Sequence, residues 1–483
     1  MRVEEYTLRN ESRTPRAGWI AFLFLVLTSA YGASAGAQES IPMLPPCRTI
    51  ELDGDVEWCE PFNVKDTQLV LVCDARSFIS VHEIKEGENT TKRSSSERLQ
   101  LGAGVRCAGR TGNIVYLHNL TDIYAVQINR APDSSTIRMS SLWRLPISLT
   151  QSANADPEFL LRVVAAKAFA NGVLVLRSDG ACVLLRGADG EAVRRWRFPP
   201  ANIGEIHVNG VRAALWHKHE KGIAVAFLDP TGAQAEPQET ALMTPPPTWS
   251  GMCDAGLALV SMHRFTLVRL DGTAWTEPLS DHLFVGASTV VLTPVTGRPG
   301  DEERISDDGA EHDCLFIPKI SGDLWAYDLE ARREIFDVRR TGSSEADKFL
   351  PRALHLSDDL LVLEQWRENI GVYRQESAEP LILLHRPGAT VLGAHIYRGV
   401  FYALFAEKVD AREATGNADS TTKLRLCRQP LPAASQPARA SCTSQPKEAA
   451  SFAIDAEADC RALWFEDALL LIDKNRVCAY TLP

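Results

Sequence analysis

Beyond Cys47 the apolar residues do not recur at helical spacing. They come in short runs rich in Val, Leu, Ile, Phe and Tyr, set apart by Gly, Asp, Asn and Pro. Gln68–Cys73, Asn113–Leu117, Asp122–Ile128, Gly172–Arg177, Gly222–Leu228 and Gly256–Val260 are such runs, and so are Leu360–Leu363, Asn369–Tyr373, Gly399–Phe405 and Ala468–Ile472. Apolar runs of this length, bounded by turn formers, read as buried strands, and their number predicts an all-β fold.

The runs also recur in groups. Cys314–Phe336 carries an apolar strand, a polar turn, a second strand, a turn with Asp, and a strand ending on an aromatic. Gly172–Phe198 repeats that order, and Leu257–Leu279 repeats it in shortened form. A supersecondary unit that recurs along the chain implies repeat architecture, and four-stranded antiparallel units stack radially into a β-propeller. Residues 38–483 are therefore expected to form one propeller domain. Its span allows about eight blades of roughly 55 residues, with seven or nine also open. Polar excursions at 85–99, 298–313 and 431–451 account for the spare length. Arg48–Leu52 is a lone strand, and the segments Asp467–Asp473 and Arg476–Leu482 make only part of a blade. The N-terminal strand is expected to complete the last blade and close the ring without leaving an edge.

The start of the chain has a different grammar. Four arginines punctuate residues 1–18, Trp19–Leu27 is apolar, and small residues follow to Ala37. A basic start, a short apolar stretch and a small-x-small exit describe a secretory signal peptide over residues 1–37, or an uncleaved anchor. No Cys follows the apolar run closely enough for lipid attachment. The mature chain is expected outside the cytoplasm: periplasmic, secreted or in the secretory-pathway lumen.

Composition narrows the function classes. The 483 residues are 45% apolar and carry a net charge of -11, which fits a large core and argues against nucleic acid as a partner. Export permits disulfides among the 11 Cys, an odd number. Sequence proximity points to Cys47–Cys59, Cys427–Cys442 and Cys460–Cys478. Cys73, Cys182 and Cys314 lie inside apolar runs and read as small buried residues. Asn89 and Asn119 head glycosylation sequons.

The segment Gly322–Phe336 resembles the repeat of pyrroloquinoline-quinone-like (quinoprotein-type) β-propellers, Ala-x-Asp-x-x-Thr-Gly-x-x-x-Trp. Ala326 and Asp328 fall on its first two marked positions, Ala331 and Arg332 replace Thr-Gly, and Phe336 replaces Trp. Gly172–Phe198 is similar, with Gly190 ahead of Trp196 at a spacing two residues longer. The marked positions do structural work: the Asp accepts turn amides, the Gly permits the reversal, and the aromatic fills the gap between blades. Quinoprotein enzymes of this family carry adjacent cysteines and a Glu/Asn/Asp calcium site. This sequence has no Cys-Cys pair and no CxxCH, so no cofactor is expected.

Catalytic motifs are equally scarce. The sequence lacks GxSxG, HExxH, a P-loop and GxGxxG. Asp358-Asp359 and Asp301–Glu303 read as solvated loop charge. His217 and His219 share a strand face, but two ligands do not make a zinc site. The acidic 301–313 loop lacks calcium-loop spacing. Arg194, Arg195 and Arg197 around Trp196 read as cations blunting a blade edge. No catalytic, cofactor-binding or metal-ligating residue is assigned. The expected function is that of an exported, non-catalytic protein-binding or assembly scaffold. The alternative is a degenerate quinoprotein-like or metal-dependent enzyme with its site in the central funnel.

Overall fold

The computed structural model describes residues 41–483 except 65–66, 85–97, 131–136, 148–160, 200–202, 211, 230–236, 282, 287, 297–310, 320–323, 338–350, 358, 366–368, 376–379, 387, 410–420, 433–449 and 457–459. Residues 1–37, where a signal peptide or anchor is expected, Asn89, Cys442 and most of the three polar excursions lie outside the described residues. The chain divides into residues 1–42 and a second unit, Met43–Pro483.

The second unit is a β-propeller of nine four-stranded antiparallel sheets. Blades 1 to 8 are each continuous in sequence and begin at Val56, Arg106, Val163, Ile203, Trp249, Val291, Pro351 and Ala389. Blade 9 is composite: Arg461–Phe465, Ala468–Asp473 and Arg476–Thr481 are joined by Arg48–Glu51 as the fourth strand. The ring is thus closed by the N-terminal strand, as its pattern indicates. Nine is within the range of blade numbers the span left open, and it gives blades of about 49 residues each.

Alternation along the middle strands shows how the ring is held. Gly172–Arg177, the second strand of blade 3, is buried along its whole length. Its Val173 and Val175 enter the core shared with blade 2, while Leu174 and Leu176 enter the core shared with blade 4. A strand with side chains on opposite faces thus serves two interfaces at once, which is why it reads as a continuous apolar run and not as alternation. The same arrangement gives nine separate cores, one between each pair of neighbouring blades. The core between blades 9 and 1 includes Ile50 from the closing strand. Each fully buried Val or Leu contributes about 1.5–3 kcal/mol.

The repeat positions behave as their chemistry requires. Asp328 is buried, and its Oδ1 accepts the backbone amides of Glu330 and Ala331 at 2.9 Å each. Gly190 turns at φ +75°, in the left-handed region. Trp196 is buried in the core between blades 3 and 4, while Arg195 and Arg197 on the same outer strand are exposed.

The disulfide expectation is corrected. No disulfide links two of the described cysteines. Cys59 lies on the first strand of blade 1, whereas the Cys47 thiol reaches the Ile84 carbonyl just past the third strand. Cys460 precedes the first strand of blade 9, and Cys478 sits on its third. In both cases an intervening strand separates the pair by two inter-strand spacings, roughly 9–10 Å, and a disulfide needs Cα atoms within about 7 Å. The Cys427–Cys442 pairing involves Cys442 and so lies outside the described residues. Cys73, Cys182 and Cys314 are fully buried, as their apolar context requires. Burial pushes the Cys59, Cys73 and Cys314 thiols up to about 12, so they are poor nucleophiles.

Candidate functional site

The first strands of successive blades lie against one another and face the propeller axis. On blades 1 to 3, Glu60, Arg110 and Lys167 approach one another. Burial raises the Glu60 carboxyl above its ordinary range, while the two cations oppose that rise.

Two side-chain networks bridge first strands. In one, Ser250 of blade 5 donates to Glu205 Oε2 of blade 4 at 2.9 Å. Its Oγ accepts from Trp216 Nε1 at 3.2 Å and meets His207 Nε2 at 2.8 Å. The single hydroxyl proton is committed to the carboxylate, so His207 must donate through Nε2. His207 therefore holds Ser250 without activating it as a nucleophile. Burial lowers the His207 pKa, partly offset by Glu205.

The second network borders a cavity of about 520 Å3 between the first strands of blades 7, 8 and 9. His355 and Ser357 come from blade 7, His395 from blade 8 and Trp464 from blade 9, and Glu364 stands on the second strand of blade 7. His395 Nε2 is 2.9 Å from the Glu466 carbonyl and must donate there. Its Nδ1 then accepts, and Ser357 Oγ lies 3.1 Å away. Ser357 in turn accepts the Ile396 amide at 2.9 Å. The imidazole so fixed stacks on Trp464, with centroids 5.7 Å apart and planes 24° from parallel. The register of blade 8 shifts between Val391 and Gly393, and Leu392 at that bulge lines the cavity. Gly393 admits the indole: a Cβ there would lie 2.8 Å from Trp464 Nε1.

None of these residues stands out in the sequence, since they come from three blades and share no local motif. The residues that did stand out are not brought together. His217 is buried with Nε2 3.6 Å from Glu239 Oε2, while His219 is exposed at the strand end. Asn119 is buried in a turn. Its Oδ1 accepts the amides of Thr121 and Asp122 at 2.9 and 2.8 Å. Its Nδ2 packs where a Cβ on Gly102 would stand 2.4 Å away. That sequon is therefore a folded turn element whose acceptor nitrogen is covered. Among the described residues no group of three metal-ligating side chains converges, and no helix is long and apolar enough to cross a membrane.

Since every strand pair is antiparallel, the turns between second and third strands share one end of the ring with the crossovers between blades. The three most exposed large apolar side chains among the described residues all lie at that end. They are Met243 (81% exposed) in the crossover from blade 4 to 5, Met262 (64%) in a turn of blade 5, and Leu120 (61%) in a turn of blade 2.

No protein-family model and no curated protein sequence matches the chain. Solved structures match it at low identity. BamB from Moraxella catarrhalis is 12% identical over 75% of this chain and 96% of its own, with a TM-score of 0.40. Sqt1 from Saccharomyces cerevisiae is 11% identical over 80% and 96%, at 0.44. The C-terminal WD40 domain of Sif2 is 9% identical over 92% and 99%, at 0.40.

Proposed function

We propose that the chain is an exported protein-binding scaffold built on degenerate pyrroloquinoline-quinone-like repeats. The observation that carries the binding role is that Met243, Met262 and Leu120, the three most exposed large apolar side chains among the described residues, all lie at the same end of the ring. Exposed Leu and Met side chains that recur at one end of a rigid ring supply the apolar anchors of a protein interface. Pro245 and Pro246, also exposed, stiffen the Met243 crossover. A stiff crossover loses little freedom on docking, so ordering costs little. The export reading rests on the leader-like residues 1–37, and the repeat reading on Ala326 and Asp328.

The test is affinity capture from the native organism with the wild-type chain and a Met243→Asp/Met262→Asp variant of equal thermal stability. The wild type is expected to retain a stoichiometric partner that the variant loses at least tenfold. Equal recovery by both would move the interface elsewhere. The mass of the captured chain is expected to correspond to a start near residue 38, and an intact residue 1 would refute cleavage.

A further inference from the structure

The cavity between blades 7, 8 and 9 contains polar groups that the fold leaves unused. Trp464 Nε1 is buried without an acceptor among the described residues. Glu364 is only 6% exposed, and its Oε1 accepts a single bond, from the Ala394 amide at 3.0 Å. No described cation pairs with its carboxylate. His355 Nε2 lies 3.1 Å from the Ala394 carbonyl and must donate to it, which leaves Nδ1 as an acceptor. A buried donor without a partner costs about 1–3 kcal/mol, and a buried carboxylate without a counter-ion costs more. Trp464 Nε1 and Glu364 Oε1 both face Gly393: a Cβ there would lie 2.8 Å from the first and 3.8 Å from the second.

The class of ligand follows from that inventory. The site offers one N–H donor beside a carboxylate and an imidazole nitrogen. An anion is repelled by Glu364. An ammonium or guanidinium group has donors only and leaves the indole N–H unsatisfied. A hydroxyl does both jobs, because its proton goes to the carboxylate while its oxygen accepts from the indole. One water has the same capability, but the cavity of about 520 Å3 holds far more than one, and it falls in the range of small-ligand sites. The frame is also set in advance, since Ser357 and the Glu466 carbonyl lock His395, and His395 stacks on the indole.

We propose that this cavity binds a polyhydroxylated ligand, a mono- or oligosaccharide, with Glu364 and Trp464 sharing one hydroxyl and His355 accepting from a second. The proposal does not depend on the protein-binding end of the ring. The ligand is either a free sugar or a glycan carried by another protein, and the chemistry is the same.

The experiment uses the full-length chain on an array of mono- to tetrasaccharides, followed by titration of each sugar that binds. Saturable binding of one sugar class is expected, weakened at least tenfold by Glu364→Gln and by Trp464→Phe. Neither variant should unfold below the wild-type temperature, since each removes a buried group that the unliganded fold leaves unpaired. In the wild-type protein alone, the indole NH resonance missing from the Trp464→Phe spectrum is expected to shift on titration. Full competition by the free sugar assigns a soluble ligand, whereas binding restricted to a glycoprotein bearing that sugar assigns a glycan. The proposal is overturned if the wild type binds nothing on the array, or if both variants bind equally well. An immobile Trp464 resonance at saturation would overturn it too.

Discussion

A single buried histidine gives the fold a measurable acid sensitivity. His82 lies on the third strand of blade 1, is 7% exposed, and meets Ser80 Oγ through Nε2 at 2.8 Å. Burial, with Arg48 and Arg98 nearby, lowers its pKa to about 4. The unfolded chain protonates this imidazole near pH 6.5, while the folded chain resists down to about pH 4. Below pH 6.5 the unfolded state therefore holds more protons, and stability falls with falling pH until about pH 4. The full effect is about 3 kcal/mol. Urea midpoints between pH 7 and pH 4 are expected to converge for wild type and His82→Asn, because the variant lacks this slope. Parallel curves would show that His82 is protonated within the fold. Nothing in the sequence marks His82, since its effect arises from burial in the folded blade and from arginines that folding brings near. The roles of Asp328 and Gly190 are legible, because turn chemistry is local.

At the scale of elements, legibility follows position in the blade. Middle strands such as Gly172–Arg177 and Leu360–Gln365 are buried on both faces, so their apolar runs stand out. First strands such as Arg106–Thr111 and Ile203–Asn209 line the axis and mix charges with apolar residues, and their pattern is weak. Fourth strands such as Ala192–Arg197 are exposed along one edge and weaker still. The candidate sites sit mostly on first strands, so weakly legible elements hold much of the chemistry. Closure was legible because Arg48–Glu51 had no partner near it in sequence. Its removal leaves Arg476–Thr481 as an open edge and uncovers the core around Val477. A chain starting at Asp53 is expected to unfold at lower temperature than one starting at Met43. It should also associate with increasing concentration, since a bare strand edge pairs with other chains. Equal midpoints and a monomeric profile for both, by calorimetry and light scattering, would show that the fourth strand of blade 9 is dispensable.

For the whole molecule, each core joins only neighbouring blades, so eight of the nine form between segments close in sequence. The ninth joins blade 9 and its Arg48–Glu51 strand to blade 1, at the two ends of the ring. Ordering a loop of that length carries the greatest entropy cost, so this contact is expected to form after the others have shortened the path. Ile50, 5% exposed in that core, reports on the step. Ile50→Ala is expected to destabilise by about 2–5 kcal/mol. A contact absent from the transition state places that loss in the unfolding rate. Stopped-flow measurements should therefore show faster unfolding with refolding almost unchanged. Val175→Ala, in the core between blades 2 and 3, is the comparison. It should slow refolding if local blade pairs form first. Slower refolding in Ile50→Ala, with unchanged unfolding, would mean that the ends of the ring meet before its middle is built.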